Sequence, residues 1–110
     1  MVDEEKAVEM FHALWDNFPS RARLIHKSRR VLAVNKAAAA EGLSAGARCS
    51  DLPPKEAHRK CQANQALAEH SGRLFFAENG AVIFWAPLEG FADLYVHGSI
   101  KKSGTGSKNR

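Results

Sequence analysis

The sequence predicts an α+β fold in which a helix, a β-hairpin, a group of short helices and three antiparallel strands follow one another. Three observations support it. Apolar residues recur at helical spacing near the N-terminus. The apolar run Val31–Val34 stops at Asn35, a preferred helix N-cap, before a stretch of helix formers. In the last third of the chain, Asn79-Gly80 separates two apolar runs, which is the strongest short hairpin signal.

The first helix is predicted over residues 3–18. Asp3, Glu4 and Glu5 lie in its first turn, where the helix dipole favours negative charge, and Pro19 ends it. Its apolar positions recur at helical spacing: Ala7, Phe11, Leu14, Trp15 and Phe18. Such a face packs on a sheet, on a partner chain or on both. The candidate dimer interface is therefore Phe11, Leu14, Trp15 and Phe18.

A β-hairpin is predicted over residues 21–34, with its turn at Lys27-Ser28-Arg29. Ala22 and Leu24 alternate with Ile25 and with two arginines, Arg21 and Arg23. The hairpin carries five basic residues in all: Arg21, Arg23, Lys27, Arg29 and Arg30. They form either an anion-binding patch or, as the commoner arrangement, a solvated strand face.

Short helices are predicted to follow the hairpin. Asn35 caps a helix of residues 36–41, which Gly42 ends. Residues 49–52 form one helical turn, and Pro53-Pro54 breaks the chain before a helix of residues 55–69. Strands are predicted over residues 73–78, 81–87 and 93–100, with turns at Asn79-Gly80 and Glu89-Gly90.

The composition excludes several classes of protein. The 110 residues suffice for one small domain, and no apolar run is long enough to span a membrane. The acidic N-terminus is unlike a signal peptide, so a cytoplasmic location is expected. The net charge of +4 comes from residues 101–110, a tail predicted to be disordered, since the other 100 residues hold twelve basic and twelve acidic side chains. Nucleic-acid binding is therefore not expected.

The candidate metal ligands are Cys49, His58 and Cys61, of which the last two lie three apart and share a helix face. A closed zinc site needs four ligands, so His70 or His97 would have to complete it through tertiary folding. The alternatives are a core cysteine or a regulatory thiol pair. No acid–base pair, P-loop or nucleophile motif occurs, so an enzyme is not expected, although a small enzyme stays an alternative.

Several segments together resemble PAS domains, specifically the sensor PAS domains of bacterial histidine kinases and diguanylate cyclases. The matching segments are Arg23-Leu24-Ile25-His26, Val31–Asn35, Lys36-Ala37-Ala38, Gly42-Leu43 with Gly46 and Cys49, residues 81–88 and residues 94–97. The resemblance covers residues 19–100. It implies a five-stranded antiparallel sheet with short helices on one face, preceded here by the helix of residues 1–18. In one subset of the family a second Cys and a Pro follow the motif similar to His58–Cys61, where this chain has Asn64 and Gln65.

The resemblance also implies a pocket between the central helices and the inner sheet face, where PAS domains hold haem, flavin or small metabolites. The candidate lining residues are Leu24, Leu32, Leu43, Cys61, Leu67, Phe76, Phe84, Trp85 and Val96. They either line a cavity or fill the core. Haem would take His58 as its first candidate axial ligand. The Asn-Cys-Arg motif of flavin photosensors is absent, and the cofactor stays unspecified.

The sequence therefore predicts a sensory or signalling module that binds a small ligand or a protein partner. It would act through protein–protein contact, with a homodimer as the expected assembly, because the chain carries no output region of its own. The alternatives are a metal- or haem-binding protein that uses Cys49, His58 and Cys61, and a small enzyme on the same scaffold.

Overall fold

The computed structural model describes residues 2–46, 63–77 and 80–100. The described elements, in chain order, are α1 (Val2–Trp15), β1 (Ala22–His26), β2 (Val31–Val34), α2 (Lys36–Ala40), α3 (Ala63–Glu69), β3 (Arg73–Phe76), β4 (Val82–Leu88) and β5 (Phe91–Ile100). This order confirms the predicted α+β fold. The predictions for residues 49–52, for the first part of the helix of residues 55–69 and for the tail 101–110 lie outside the described residues.

The strands form one five-stranded antiparallel sheet in the order β2-β1-β5-β4-β3, as the resemblance implied. The long strand β5 lies at its centre, paired with β1 on one side and with β4 on the other. The predicted hairpin of residues 21–34 is confirmed, because β1 pairs with β2 and His26 N donates to Arg30 O across the turn at 3.0 Å. Since each strand alternates its side chains, the sheet has two faces with different partners.

The outer face, defined here as the face under α1, carries one apolar core. Its buried members are Ala22, Leu24, Ala33, Leu94 and Val96 of the sheet with Ala7 and Phe11 of α1. The inner face, defined as the face under α3, carries the other core. Its buried members are Ile25, Val31, Trp85 and Tyr95 of the sheet with Ala63 and Ala66 of α3. Helix α1 thus lies on the outer face and helix α3 on the inner face.

Helix α1 ends at Trp15, three residues before the predicted end. The chain turns at Asp16 and Asn17, and Phe18 N donates to Trp15 O at 3.0 Å. The turn returns the Phe18 ring to an edge-to-face contact with Trp15, with 5.0 Å between ring centroids. Packing of Phe18 on the outer core therefore replaces its predicted place in the helix.

Asn35 is fully buried and joins four parts of the chain. Its Oδ1 accepts from Ala38 N, which confirms the predicted N-cap, and also from Ala22 N at the start of β1, both at 3.0 Å. Its Nδ2 donates to Trp15 O at 3.0 Å and to Ser20 O at 2.9 Å. One side chain therefore ties the end of α1 and the α1–β1 connection to the sheet and to α2.

Candidate functional site

A row of polar side chains crosses the inner face at one level of the sheet. Arg23 on β1 pairs with His97 on β5, His97 pairs with Trp85 on β4, and Trp85 pairs with Arg73 on β3. Residues paired in this way point to the same face. We call Arg23, His97, Trp85 and Arg73 the polar row. It crosses the face that α3 covers.

His97 and Trp85 form the rigid centre of the polar row. Their rings are stacked, with 5.2 Å between centroids and 13° between planes. His97 Nδ1 lies 3.0 Å from the carbonyl oxygen of Phe84, so that nitrogen carries a proton and donates it to the carbonyl. The hydrogen bond and the stack together fix the orientation of the imidazole.

Two donors of the polar row are buried without an acceptor. Neither Arg23 Nη1 nor Trp85 Nε1 has a hydrogen-bond partner among the described residues. Only 3% of Trp85 is exposed, and Arg23 is half-buried with its Nη1 atom inside. A buried donor that lacks an acceptor costs about 1–3 kcal/mol, and a charged donor costs more. Such groups in a folded protein call for an explanation.

Arg73, at the end of the polar row, is in a different state from Arg23. Its Nη1 donates to Glu69 Oε1 at 3.0 Å, and this carboxylate lies on α3. The arginine therefore holds the end of α3 to the edge of the sheet. Arg23 has no carboxylate within salt-bridge distance among the described residues.

The walls around the polar row are apolar. The inner core places the small side chains Ala63 and Ala66 of α3 against the sheet, with Ile25, Tyr95 and Ile83 beside them. At the hairpin tip, the Arg29 guanidinium lies 5.9 Å from the centre of the Tyr95 ring and donates to Asn64 Oδ1 at 3.0 Å. Arg29 thereby fastens the hairpin to the start of α3. The donors of the polar row thus lie among apolar side chains.

The nine predicted pocket residues do not share one surface. Trp85 and Leu67 belong to the inner core, but Leu24, Leu32, Phe84 and Val96 pack in the outer core under α1. Phe76 pairs with Val82 on the outer face and is 71% exposed. Leu43 is half-buried, and Cys61 lies outside the described residues. The nine therefore cannot line one pocket, because alternation puts neighbours such as Phe84 and Trp85 on opposite faces.

The solvated-face expectation for the basic hairpin is wrong for Arg23. Lys27 and Arg30 are exposed, as expected. Arg23 instead points to the inner face, since its strand neighbours Ala22 and Leu24 occupy the outer core. The sequence showed the alternation but not which face the helices would cover.

The predicted metal ligands Cys49, His58 and Cys61 lie outside the described residues. Within residues 2–46, 63–77 and 80–100, no group of three or more His, Cys, Asp or Glu side chains is placed to hold a metal ion. His70 and His97 do not come together there in such a group. Metal or haem binding through Cys49, His58 and Cys61 stays a prediction.

The four residues predicted to form a dimer interface differ in how far they are buried within their own chain. Phe11 is 2% exposed and belongs to the outer core of its own chain. Trp15 and Phe18 are half-buried, and Trp15 stacks on Phe84 with 5.9 Å between centroids. Leu14 is 73% exposed. Of the four, Leu14 is the most exposed, and their role in a dimer stays a prediction.

A cavity of about 370 Å³ opens where the α1–β1 connection meets α2 and the end of β5. Two of its polar side chains are already paired with each other, since Arg21 Nη1 donates to Glu41 Oε1 at 3.1 Å. Arg21 Nε donates to Ser99 Oγ at 2.9 Å. Because these groups satisfy one another, the cavity presents a weaker site than the polar row.

No protein-family model and no curated protein matches the sequence. Among solved structures, a sensory box histidine kinase from Vibrio cholerae is similar, with a TM-score of 0.65 and 12% identity. The match covers 93% of this chain and 94% of that chain. The chain has the PAS, or sensory box, fold. The PAS domain of an HTR-like protein from Haloarcula marismortui is also similar, with a TM-score of 0.49 and 15% identity over 89% of this chain and 99% of that one.

Within this PAS fold, the polar row is the feature that sequence reasoning missed. Arg23 was predicted on a solvated strand face, and His97 in the last strand and as a possible fourth metal ligand. Both alternate in step with apolar residues that face α3. Cross-strand register brings them together with Trp85, and a single sequence does not give that register.

Among the described helices, none is long and apolar enough to cross a membrane.

Proposed function

We propose that this PAS-fold chain is a sensory module that binds a small ligand at the inner face and acts through contact with a second copy of itself. The observation that carries the proposal is an uncovered apolar surface on the outer face. Leu74, Phe76 and Ile100 are 58%, 71% and 46% exposed. With half-buried Val82 they form the outer apolar patch: Leu74, Phe76, Val82 and Ile100.

The register places the outer apolar patch at the end of the sheet that α1 leaves open. Phe76 pairs with Val82, and Val82 pairs with Ile100, so the three lie in one row across β3, β4 and β5. Helix α1 packs mainly against β1 and β2. A contiguous apolar area on a soluble protein marks a contact surface. A second copy covers it by a self-complementary contact, which a two-fold dimer requires.

The inner face is connected to α1 through Asn35. Arg23 in the polar row follows Ala22, whose N–H donates to Asn35 Oδ1. The other end of the Asn35 side chain donates to Trp15 O at the end of α1. A ligand that draws Arg23 inward shifts the start of β1. The shift reaches α1 through the two hydrogen bonds of the Asn35 side chain. Ligand binding thereby favours one docking position of α1, which changes the surface offered to the partner.

The test is the oligomeric state of the chain carrying Leu74→Ser and Phe76→Ser together. We expect the native chain to form a dimer, and the double variant to dissociate at least about tenfold more readily, because each buried Phe or Leu side chain contributes about 1.5–3 kcal/mol. Sedimentation equilibrium over a concentration series measures both dissociation constants. Leu14→Ser tests the share of α1 in the same interface.

Ala68→Ser is the matched control, because Ala68 is an exposed apolar residue on α3, away from the outer face. Its dissociation constant should equal that of the native chain. A native chain that sediments as a monomer at all concentrations, or a double variant that dimerises normally, would contradict the self-contact proposal.

A further inference from the structure

We infer that the ligand of the inner face is a small organic oxyanion, a carboxylate or a phosphate ester, held over His97 by Arg23 and Trp85. This inference rests on the proposed ligand-sensing function and adds to it the chemical class of the ligand. It follows from the two donors that are buried without acceptors.

Arg23 is the charged donor of the polar row that needs an acceptor. Its guanidinium is always protonated and presents donors in a planar fork that matches carboxylate and phosphate oxygens. Nη1 is buried and has no acceptor among the described residues, while the guanidinium of Arg73 in the same row already binds Glu69. An anionic acceptor pairs with the buried Nη1 donor and with the charge that it carries, whereas a neutral ligand leaves that charge unpaired.

The indole of Trp85 is the second donor that needs an acceptor. This side chain is 97% removed from solvent, since 3% is exposed, and its Nε1 has no acceptor among the described residues. An indole N–H only donates, so the missing partner must be an acceptor. Arg23 and Trp85, which lie on the two sides of His97, thus both need a hydrogen-bond acceptor.

The positions of Arg23 and Trp85 in the sheet allow one ligand to reach both donors. Arg23 and Trp85 lie two strands apart, on β1 and β4, with His97 of β5 between them. Two strand spacings separate β1 from β4 by about 10 Å. Both side chains are long enough to reach a ligand that lies between these strands. The stacked His97–Trp85 pair holds the Trp85 indole in a fixed orientation beside His97. The apolar residues around it favour a ligand with a hydrocarbon part rather than a bare inorganic ion.

Titration of the ¹⁵N-labelled native chain with benzoate, phenyl phosphate and benzamide tests the inference. The spectrum contains two indole signals, from Trp15 and Trp85, and Trp15→Phe assigns them. We expect benzoate or phenyl phosphate to move the Trp85 Nε1–H signal while Trp15 stays in place. Benzamide, which has a similar shape and no charge, should bind at least about tenfold more weakly. The tighter of the two anions identifies the source of the oxyanion.

Arg23→Met should abolish the response to both anions, whereas Arg30→Met should keep it. Arg30 is the matched control because it is an exposed arginine on the same hairpin that pairs with Glu4. Arg23→Lys keeps the charge and loses the fork, so it should bind more weakly than the native chain even if Arg23→Met does not fold.

The outcomes separate the two proposals. Equal binding of benzamide and benzoate, or an unchanged response in a folded Arg23→Lys variant, overturns the oxyanion inference and leaves ligand sensing standing. No movement of the Trp85 signal with any probe, together with no small molecule retained by the purified native chain in native mass spectrometry, overturns both. A retained neutral molecule supports ligand sensing and overturns the oxyanion.

Discussion

Replacing Asn35 by Asp should lower the free energy of unfolding by about 3 kcal/mol, although Asp is as good an N-cap as Asn. The carboxylate still accepts from Ala22 N and Ala38 N. It cannot donate to Trp15 O and Ser20 O, which Nδ2 approaches to 3.0 and 2.9 Å. It also places a negative charge against two carbonyl oxygens at a fully buried position. Urea unfolding with an unchanged m-value measures the loss.

Asn35→Ser and Asn17→Ala divide the effect into its parts. Serine keeps an acceptor for the cap and loses both Nδ2 donations, so it should be destabilised nearly as much as the Asp variant. Asn17 is exposed, and its substitution should change stability by less than about 0.5 kcal/mol. An Asp variant as stable as the native chain would mean that Asn35 acts only as a helix cap.

The region that loses hydrogen-exchange protection shows whether Asn35 links α1 to the sheet or only stabilises the fold as a whole. In Asn35→Asp, amide hydrogen exchange should rise most in α1 and at residues 16–21, because the bonds from Nδ2 to Trp15 O and to Ser20 O are lost. Strands β3 and β4 have no contact with Asn35 in the described hydrogen bonds and should keep their relative protection. Uniform loss of protection would contradict the role given to Asn35 in linking α1 to the sheet.

Local patterns in the sequence predicted one of the four side-chain hydrogen bonds of Asn35. The N-cap to Ala38 N lies three residues away, and a short apolar run followed by helix formers indicates it. The other partners, Ala22, Ser20 and Trp15, lie 13, 15 and 20 residues earlier. They become neighbours only when β1 pairs with β2 and α1 folds over the outer face. Spacing along the chain carries no signal for them.

The same limit explains why the fold was predicted better than the site. Hairpin turns and helix caps are short-range, so the five strands and most helix positions followed from the residues. Which face of the sheet is buried, and under which helix, depends on tertiary packing. The pocket prediction selected large apolar residues and so took Phe84 and Trp85 together, although consecutive strand residues point to opposite faces. Choosing only every second residue along the strand from Trp85 would have given residues of a single sheet face. It would not have shown which helix covers that face.

Replacing Gly98 by Ala should destabilise the chain by about 2 kcal/mol through lack of space, since overpacking a tight interior typically costs about 1–3 kcal/mol. A Cβ at Gly98 would lie 2.7 Å from the carbonyl oxygen of Arg21 and 2.7 Å from the Cζ atom of Phe84. The ring can shift, but the carbonyl belongs to the backbone beside β1. At this chain length the loss corresponds to a Tm lower by roughly 10 °C.

Gly72→Ala is the matched control, because a Cβ there would lie 3.7 Å from Trp85 O, an ordinary contact. It should leave Tm unchanged or raise it slightly, since alanine reduces the freedom of the unfolded chain. Phe84→Leu in the Gly98→Ala background should recover the part of the loss caused by the ring, and the remainder measures the clash with Arg21 O. Because Trp15 of α1 stacks on Phe84, a displaced ring also pushes on α1. Equal Tm values for Gly98→Ala and Gly72→Ala would show that the close approach of Phe84 to β5 is not required.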